Sequence, residues 1–447
     1  MQFCQHERAG LTATCPSCCA HVPLLAVHDS EQTTEVSVLT THHERLEAYA
    51  ELAVRVGVNL QTGQGLHVRA STDDKEFVRL VAEKAYDAGA KTVYVEWNDQ
   101  YLDRTTLLRS PLDALSEFPQ CIADGRVSMA KEDFAFLVIQ APRPSFLQDV
   151  PTDRMTARTR ASQKALREYA EYTRSDRVAW SAIAVPTAEW ADVVFASAPQ
   201  EERMERLWDA IFRVTRVTQS HPRQAWKEHV ENLQNRVTAL NHVRYESLHY
   251  TGPGTDLTVK LPKNHLWVGG GATSENGVFF VPNIPTEECF TAPLRSGVSG
   301  VVSSTKPLVF ADKVIDEFSL RLEQGRIVEY RAERGQDVLE SIIETDEGAH
   351  YFGEIALVPH NSPISHEGVV FYNTLFDENA ACHIAIGNAY SINVENGPSL
   401  SPDEQMAAGL NRSQVHVDFM IGSDRLDIDA KTATGETVPL FRSGEWV

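Results

Sequence analysis

The chain has no run of about 18 apolar residues, the length a membrane-crossing helix requires, and its N-terminus lacks the basic-then-apolar layout of a signal peptide. The expectation is a soluble, cytoplasmic protein that does not engage a membrane. Cysteine is scarce: seven residues in 447, four of them within the first nineteen, cannot make a disulfide framework and point to a reducing compartment. Positive charge is short as well. Lys and Arg number 41 against 62 Asp and Glu, a net charge of −21, which excludes a protein that grips nucleic-acid phosphates. The surplus acid is mainly a solvated surface. Also missing is a dinucleotide fingerprint, because Gln61-Thr-Gly-Gln-Gly65 precedes a strand where the fingerprint must follow one.

At 42% hydrophobic residues the chain can bury two sizeable cores. Residues 1–42 read as a disordered Cys-rich extension. Cys15-Pro-Ser-Cys18, with Cys4, His6, Cys19 and His21 nearby, has the ligand types of half a zinc knuckle, but Cys4 and His6 are too close together to complete one. From His43 the periodicity predicts an α/β domain over 43–240 with a mainly parallel sheet, suited to dimerisation or to shaping a substrate cavity. Its helices fall at 43–57, 73–89, 99–116, 153–173, 200–215 and 221–240; its strands fall at 66–70, 92–97, 134–140 and 178–185. After about 240 the texture changes to two-residue alternation with Gly/Pro punctuation. An α+β catalytic domain over 241–447 with a curved mixed sheet is expected, its helices near 334–345 and 377–386. Gly269-Gly-Gly271 reads as a bulged turn in preference to an anion cradle, since no helix start follows it.

The second half also holds the chemistry. Val281-Pro-Asn-Ile-Pro-Thr-Glu-Glu-Cys-Phe290 sets two adjacent carboxylates, Glu287 and Glu288, among prolines, an arrangement that no core needs and that calls for a cation. Glu354 opens an apolar strand. Glu378 and His383 lie five apart near the start of the expected 377–386 helix, where they converge only if the first turn is distorted. His416 and Asp418, two apart on a strand, share one face, with Val415, Val417 and Phe419 on the other. Tyr390 is within reach of any site that His383 lines, where its phenol could donate to a developing oxyanion. Carboxylates and imidazoles with few thiolates suit a hard to borderline divalent ion, here gathered from four distant segments.

Asn283-Ile-Pro-Thr-Glu-Glu288, Gly300-Val-Val-Ser-Ser-Thr-Lys-Pro-Leu308, Asp377-Glu-Asn-Ala380 with His383-Ile-Ala-Ile-Gly387, and His416-Val-Asp-Phe-Met-Ile-Gly-Ser-Asp424 resemble the aminopeptidase S/aminopeptidase T family of metallo-aminopeptidases. The likeness spans roughly 43–447. It implies a dimeric cytoplasmic exopeptidase that removes N-terminal residues from peptides with two divalent ions, zinc or cobalt foremost, magnesium or manganese also fitting an oxygen-rich set. Carried over, the metal residues are Glu288, Glu354, His383, His416 and Asp418, with Glu378 close by and Tyr390 as a catalytic phenol. Family spacing favours Glu288 over Glu287 as ligand, so Glu287 is expected as general base. Two metals roughly 3.5 Å apart share a bridging carboxylate, for which Glu354 is the candidate. Lys306 and Arg295 are read as oxyanion or carboxylate contacts, or as structural ion pairs. The same ligands would serve another amidohydrolase, a phosphoesterase, or a non-catalytic peptide-binding relative.

Overall fold

The computed structural model describes residues 41–310 and 313–447. Residues 1–40 of the expected extension, with the half knuckle, lie outside the described residues, while Thr41 and His42, expected within it, begin the first helix. The first helix, α1 (His42–Leu52), begins at a capping box: the Thr41 hydroxyl accepts from the Glu44 amide and the Glu44 carboxylate from the Thr41 amide. It runs on into a π-helical turn over Ala53–Gly57.

Four parallel strands follow: β1 (Gly65–Ser71), β2 (Thr92–Asn98), β3 (Ala135–Gln140) and β4 (Trp180–Ala184), in the order β2-β1-β3-β4. Helices alternate with and follow these strands; β3 and β4 are near-continuous apolar runs, whereas β1 carries His67 and Arg69 and the edge strand β2 is half-exposed. Two of these helices, α2 (Gln200–Val214) and α3 (Pro222–Val243), close this part of the chain. The expected α/β layer is therefore present. Two helices escaped the sequence, Gln120–Lys131 and Ala188–Val194, and the helix expected over 153–173 is broken at Leu166.

After α3 the ladders turn antiparallel. One sheet of nine strands carries Ser247–Gly252, Thr255–Lys260, Val298–Ser303, Lys313–Glu323 and the C-terminal hairpins. A second sheet of five strands builds the site: β5 (Val268–Gly269), β6 (Cys289–Thr291), β7 (Phe352–Leu357), β8 (His383–Gly387) and β9 (His416–Met420), in the order β9-β8-β7-β6-β5. The helix expected over 377–386 is instead a short turn at Thr374–Asp377, a 3-10 turn at Glu378–Ala380 and then β8. All five residues of β8 are buried, so its sequence shows no alternation to mark it as a strand.

The segment Val281–Phe290 joins the two parts. Asn283 bridges Ala182 of β4 in parallel, the Ala182 amide donates to Pro282 O, and the Ile284 amide donates to Ala182 O, which adds an edge to the first sheet. Five residues later the chain enters β6 of the second. Its Val281 and Ile284, with the preceding Phe280, sit in the same core as Tyr49, Phe212 and Trp226, and Phe371 and Phe376 join them from further along. Among the described residues no helix is long and apolar enough to cross a membrane.

Candidate metal centre

Register decides which side chains meet. Glu354 pairs with Ala385 and Ala385 with Asp418; Ala356 pairs with His383, and Gly387 with His416. Directly opposed residues share a face, so Glu354, His383, His416 and Asp418 project together. Glu288 precedes β6 in phase with Phe290, which opposes Ala356, and joins the same face. The other face carries Ile355, Leu357, Ile384, Ile386, Val417 and Phe419 into the core. Period-two alternation would put Phe352 beside Glu354. A bulge between them breaks the phase, sending Phe352 into the core and Glu354 out to the ligands. Gly353 occupies that bulge, where a Cβ would stand 2.1 Å from the Asn388 carbonyl oxygen. The Gly269–Gly271 run serves a similar close approach, since a Cβ on Gly269 would meet Glu288 O at 2.4 Å.

Each imidazole is fixed by a backbone carbonyl. His383 Nδ1 lies 3.1 Å from Ala381 O and His416 Nδ1 lies 2.7 Å from Asn388 O. A carbonyl only accepts, so both Nδ1 atoms carry hydrogen, and a neutral ring then bears its lone pair at Nε2. Those Nε2 atoms face carboxylate oxygens: His383 lies 3.1 Å from Glu288 Oε2 and 3.6 Å from Glu354 Oε1; His416 lies 3.5 Å from Asp418 Oδ1 and 3.7 Å from Glu354 Oε2. Two sets of three ligand atoms thus converge, Glu288/Glu354/His383 and Glu354/His416/Asp418, and Glu354 gives one oxygen to each.

The electrostatics favour positive charge. Glu288 Oε2 and Asp418 Oδ1 are buried without a hydrogen-bond partner among the described residues. Burial pushes Glu354 up to about 7 against the pull of His383, and burial with Glu288 and Asp418 holds Glu378 well above the usual carboxylate range. Burial alone would lower both imidazoles. The facing carboxylates Glu288 and Glu354 hold His383 well above its ordinary value, and Asp418 and Glu354 carry His416 up to about 10. Tyr390 leans on the His416 ring at 4.9 Å, its pKa raised by burial and by the negative field of Glu354, Asp418, Glu378 and Glu288. Oxygen and imidazole lone pairs aimed at common points, with orphaned carboxylate oxygens, are the donor set divalent cations take.

The family model described as "Thermophilic metalloprotease (M29)" matches residues 42–446. The chain belongs to the M29 family. Aminopeptidase AmpS of Bacillus subtilis (strain 168) is 47% identical over 403 residues, covering 90% of this chain and 98% of the relative. Aminopeptidase T of Thermus aquaticus is 42% identical, covering 90% and 98%. The solved structure titled "Wild-type AmpT from Thermus thermophilus" superposes with a TM-score of 0.85 at 40% identity, covering 91% of this chain and all of that one. The enzyme class follows: the chain is a metallo-aminopeptidase.

Within this M29 chain, five residues singled out in the sequence come together, and Glu378 and Tyr390 border them. Glu287 does not. Arg216 Nη1 and Nη2 hold its two oxygens at 2.6 and 2.9 Å, away from the converging ligands. Arg295 donates to Asn411 Oδ1 at 3.0 Å and its guanidinium lies 3.6 Å from the centre of the Tyr351 ring, a structural use. Lys306 is half-buried near Asp377; burial lowers its pKa and Asp377 partly offsets this. The sequence missed the groups behind the ligands: the Asn388 and Ala381 carbonyls, Arg216 and His229. Backbone carbonyls leave no trace in residue identity, and the two side chains come from a helix (His229) and the turn before it (Arg216), where periodicity says nothing of a distant site.

Proposed function

We propose that this metallo-aminopeptidase uses two divalent ions, one held by Glu288 and His383, the other by His416 and Asp418, with Glu354 shared between them. The observation that carries the reading is the division of the Glu354 carboxylate, Oε1 towards His383 and Oε2 towards His416. Bound ions supply Lewis acidity, polarising the scissile carbonyl and making water nucleophilic near neutral pH. The rest falls to the chain. The oxygens of Glu288 and Asp418, buried without a hydrogen-bond partner among the described residues, would offer their lone pairs to the ions. Tyr390, with 44% of its surface open, offers its hydroxyl as a donor where negative charge develops on the carbonyl oxygen.

The base role expected of Glu287 passes in this proposal to Glu378, because Arg216 engages both Glu287 oxygens. Glu378 feels the same carboxylates as the ligands yet belongs to neither ligand triad, and its carboxylate accepts a hydrogen bond from Asn379 Nδ2 at 3.4 Å. It would hold the proton lost by water and return it to the leaving amine. The acidic surroundings also suit the free α-ammonium of a peptide, which restricts cleavage to N-terminal residues. Zinc or cobalt as the ions, a homodimer, a cytoplasmic location, and the division near residue 240 into an α/β part and a metal-binding part complete the proposal.

Metal analysis paired with a substrate panel tests it. Purified protein is expected to hold two ions per chain and to hydrolyse aminoacyl anilides but not phosphate esters. Glu378→Gln is expected to keep both ions while losing about 100-fold or more in kcat. One ion per chain, or undiminished turnover in the Glu378→Gln protein, would overturn the corresponding part.

A further inference from the structure

Glu288 is delivered by a segment fastened on both sides by groups that are not ligands. His229, on α3, has Nε2 2.7 Å from the Thr286 carbonyl oxygen, so that nitrogen carries hydrogen. Its Nδ1 then bears a lone pair and lies 3.1 Å from Arg216 Nη2, which donates to it. Burial lowers the pKa of His229, in keeping with a neutral ring. Arg216 spends its fork on both oxygens of Glu287, and the Glu287 amide donates to Asn379 Oδ1 at 2.8 Å. Carbonyl, carboxylate and amide are thereby tied down over two consecutive residues, and the next is Glu288.

Arg216 is itself set in place. It lies in the turn between α2 and α3 with φ of 62°, a left-handed conformation that side-chain-bearing residues adopt only where their surroundings hold them. Its guanidinium sits 5.2 Å from the centre of the Trp226 ring, and the Trp226 indole donates to Thr215 O at 2.7 Å, anchoring the preceding residue. Neighbouring side chains on an extended segment diverge, so binding Glu287 to Arg216 turns Glu288 the opposite way, towards His383.

We propose that Arg216 and His229 are positioning residues: acting through Glu287 and the Thr286 carbonyl, they hold Glu288 in register for its ion from the α/β part of the chain. This rests on Glu288 being a ligand, as in the proposed function. The bidentate geometry needs a guanidinium, so Lys is not an equivalent here.

Cobalt(II) titration of the metal-free full-length protein, followed by visible absorption and calorimetry, tests the inference. Arg216→Met and Glu287→Gln are each expected to weaken one binding step by about 10- to 100-fold and to leave the other unchanged, as removal of outer-shell partners does. The double variant is expected to fall within about threefold of either single, since both remove the same contact. It also leaves no unpaired buried charge, so it supplies a folded comparison should Arg216→Met lose its structure, with the thermal midpoint of metal-free protein as the check. Glu288→Ala provides the reference. If it loses one step while the clamp variants keep both, the positioning role is overturned and the ligand set stands; if Glu288→Ala keeps both steps, the ligand assignment fails and the inference with it. A Glu287→Gln protein that binds both ions normally but has lost turnover would also overturn the inference, by making Glu287 a base.

Discussion

A single glycine decides whether Glu354 reaches the proposed metal site. Gly353 carries the bulge that breaks strand alternation, and its missing Cβ leaves room for the Asn388 carbonyl, the same carbonyl that fixes His416. Gly353→Ala should therefore disturb one proposed ligand directly and a second through its anchor. A loss of about 1–3 kcal/mol in urea unfolding of metal-free protein is expected from the clash, with cobalt affinity falling at both binding steps. Far from the site, Glu96 offers a test in pH. Burial would raise its carboxyl, but hydrogen bonds from His67 and Arg126 overcome this and bring it down to about 2 from an ordinary 4.5. A depressed folded pKa gives stability that is fully present above about 4.5 and drains away as pH falls towards 2. Urea midpoints measured from pH 7 to pH 3 should thus converge for wild type and Glu96→Gln on acidification. The gap near neutral pH is expected to be about 1–3 kcal/mol, with solvent screening at this partly exposed group reducing the full linkage value.

At the scale of elements, the site is a property of strand register. Ala356, Ala385 and Gly387 are the residues that oppose ligands or lie between them on the ligand face, and their small size keeps the approach open. Ala385→Leu places a branched side chain between Glu354 and Asp418. It is expected to abolish binding at the His416–Asp418 side while costing about 1–3 kcal/mol in stability, read by metal content and by thermal unfolding. His416 and Asp418 were legible in the sequence because β9 alternates between a half-buried and a buried face, so alternation put the two together. Glu354 was the candidate for the shared carboxylate through the family resemblance, but the face it takes was not legible from alternation, since the bulge lies outside any period-two pattern. The helix expected over 377–386 failed for the opposite reason: β8 is buried on both faces and reads as an undifferentiated apolar run. Arg216 and His229 sit in and beside helices whose sequence marks only a core-facing stripe, so their contact with Thr286 and Glu287 could not be read from spacing.

For the whole molecule, the two parts are not independent layers joined by a linker. Val281–Ile284 extends the parallel sheet beside β4, and within five residues the same segment supplies Glu288 to the antiparallel sheet. Phe371 and Phe376 return from the metal-binding part to the first core, where Trp190 donates to the Phe371 carbonyl and its ring lies 5.7 Å from Phe376. Helix α3 is likewise shared, with Trp226 and Val230 in one core and Leu233 and Leu240 in the other. The acidic composition takes local form here, as four carboxylates, Glu288 and Glu354 buried and Glu378 and Asp418 half-buried, around two imidazoles. Anomalous diffraction from crystals of the zinc-loaded protein, collected at the zinc edge, addresses this arrangement most directly. Two peaks are expected, one touching Glu288 and His383, the other His416 and Asp418, with an oxygen of Glu354 on each. A single peak, or two peaks of which only one contacts Glu354, would contradict it.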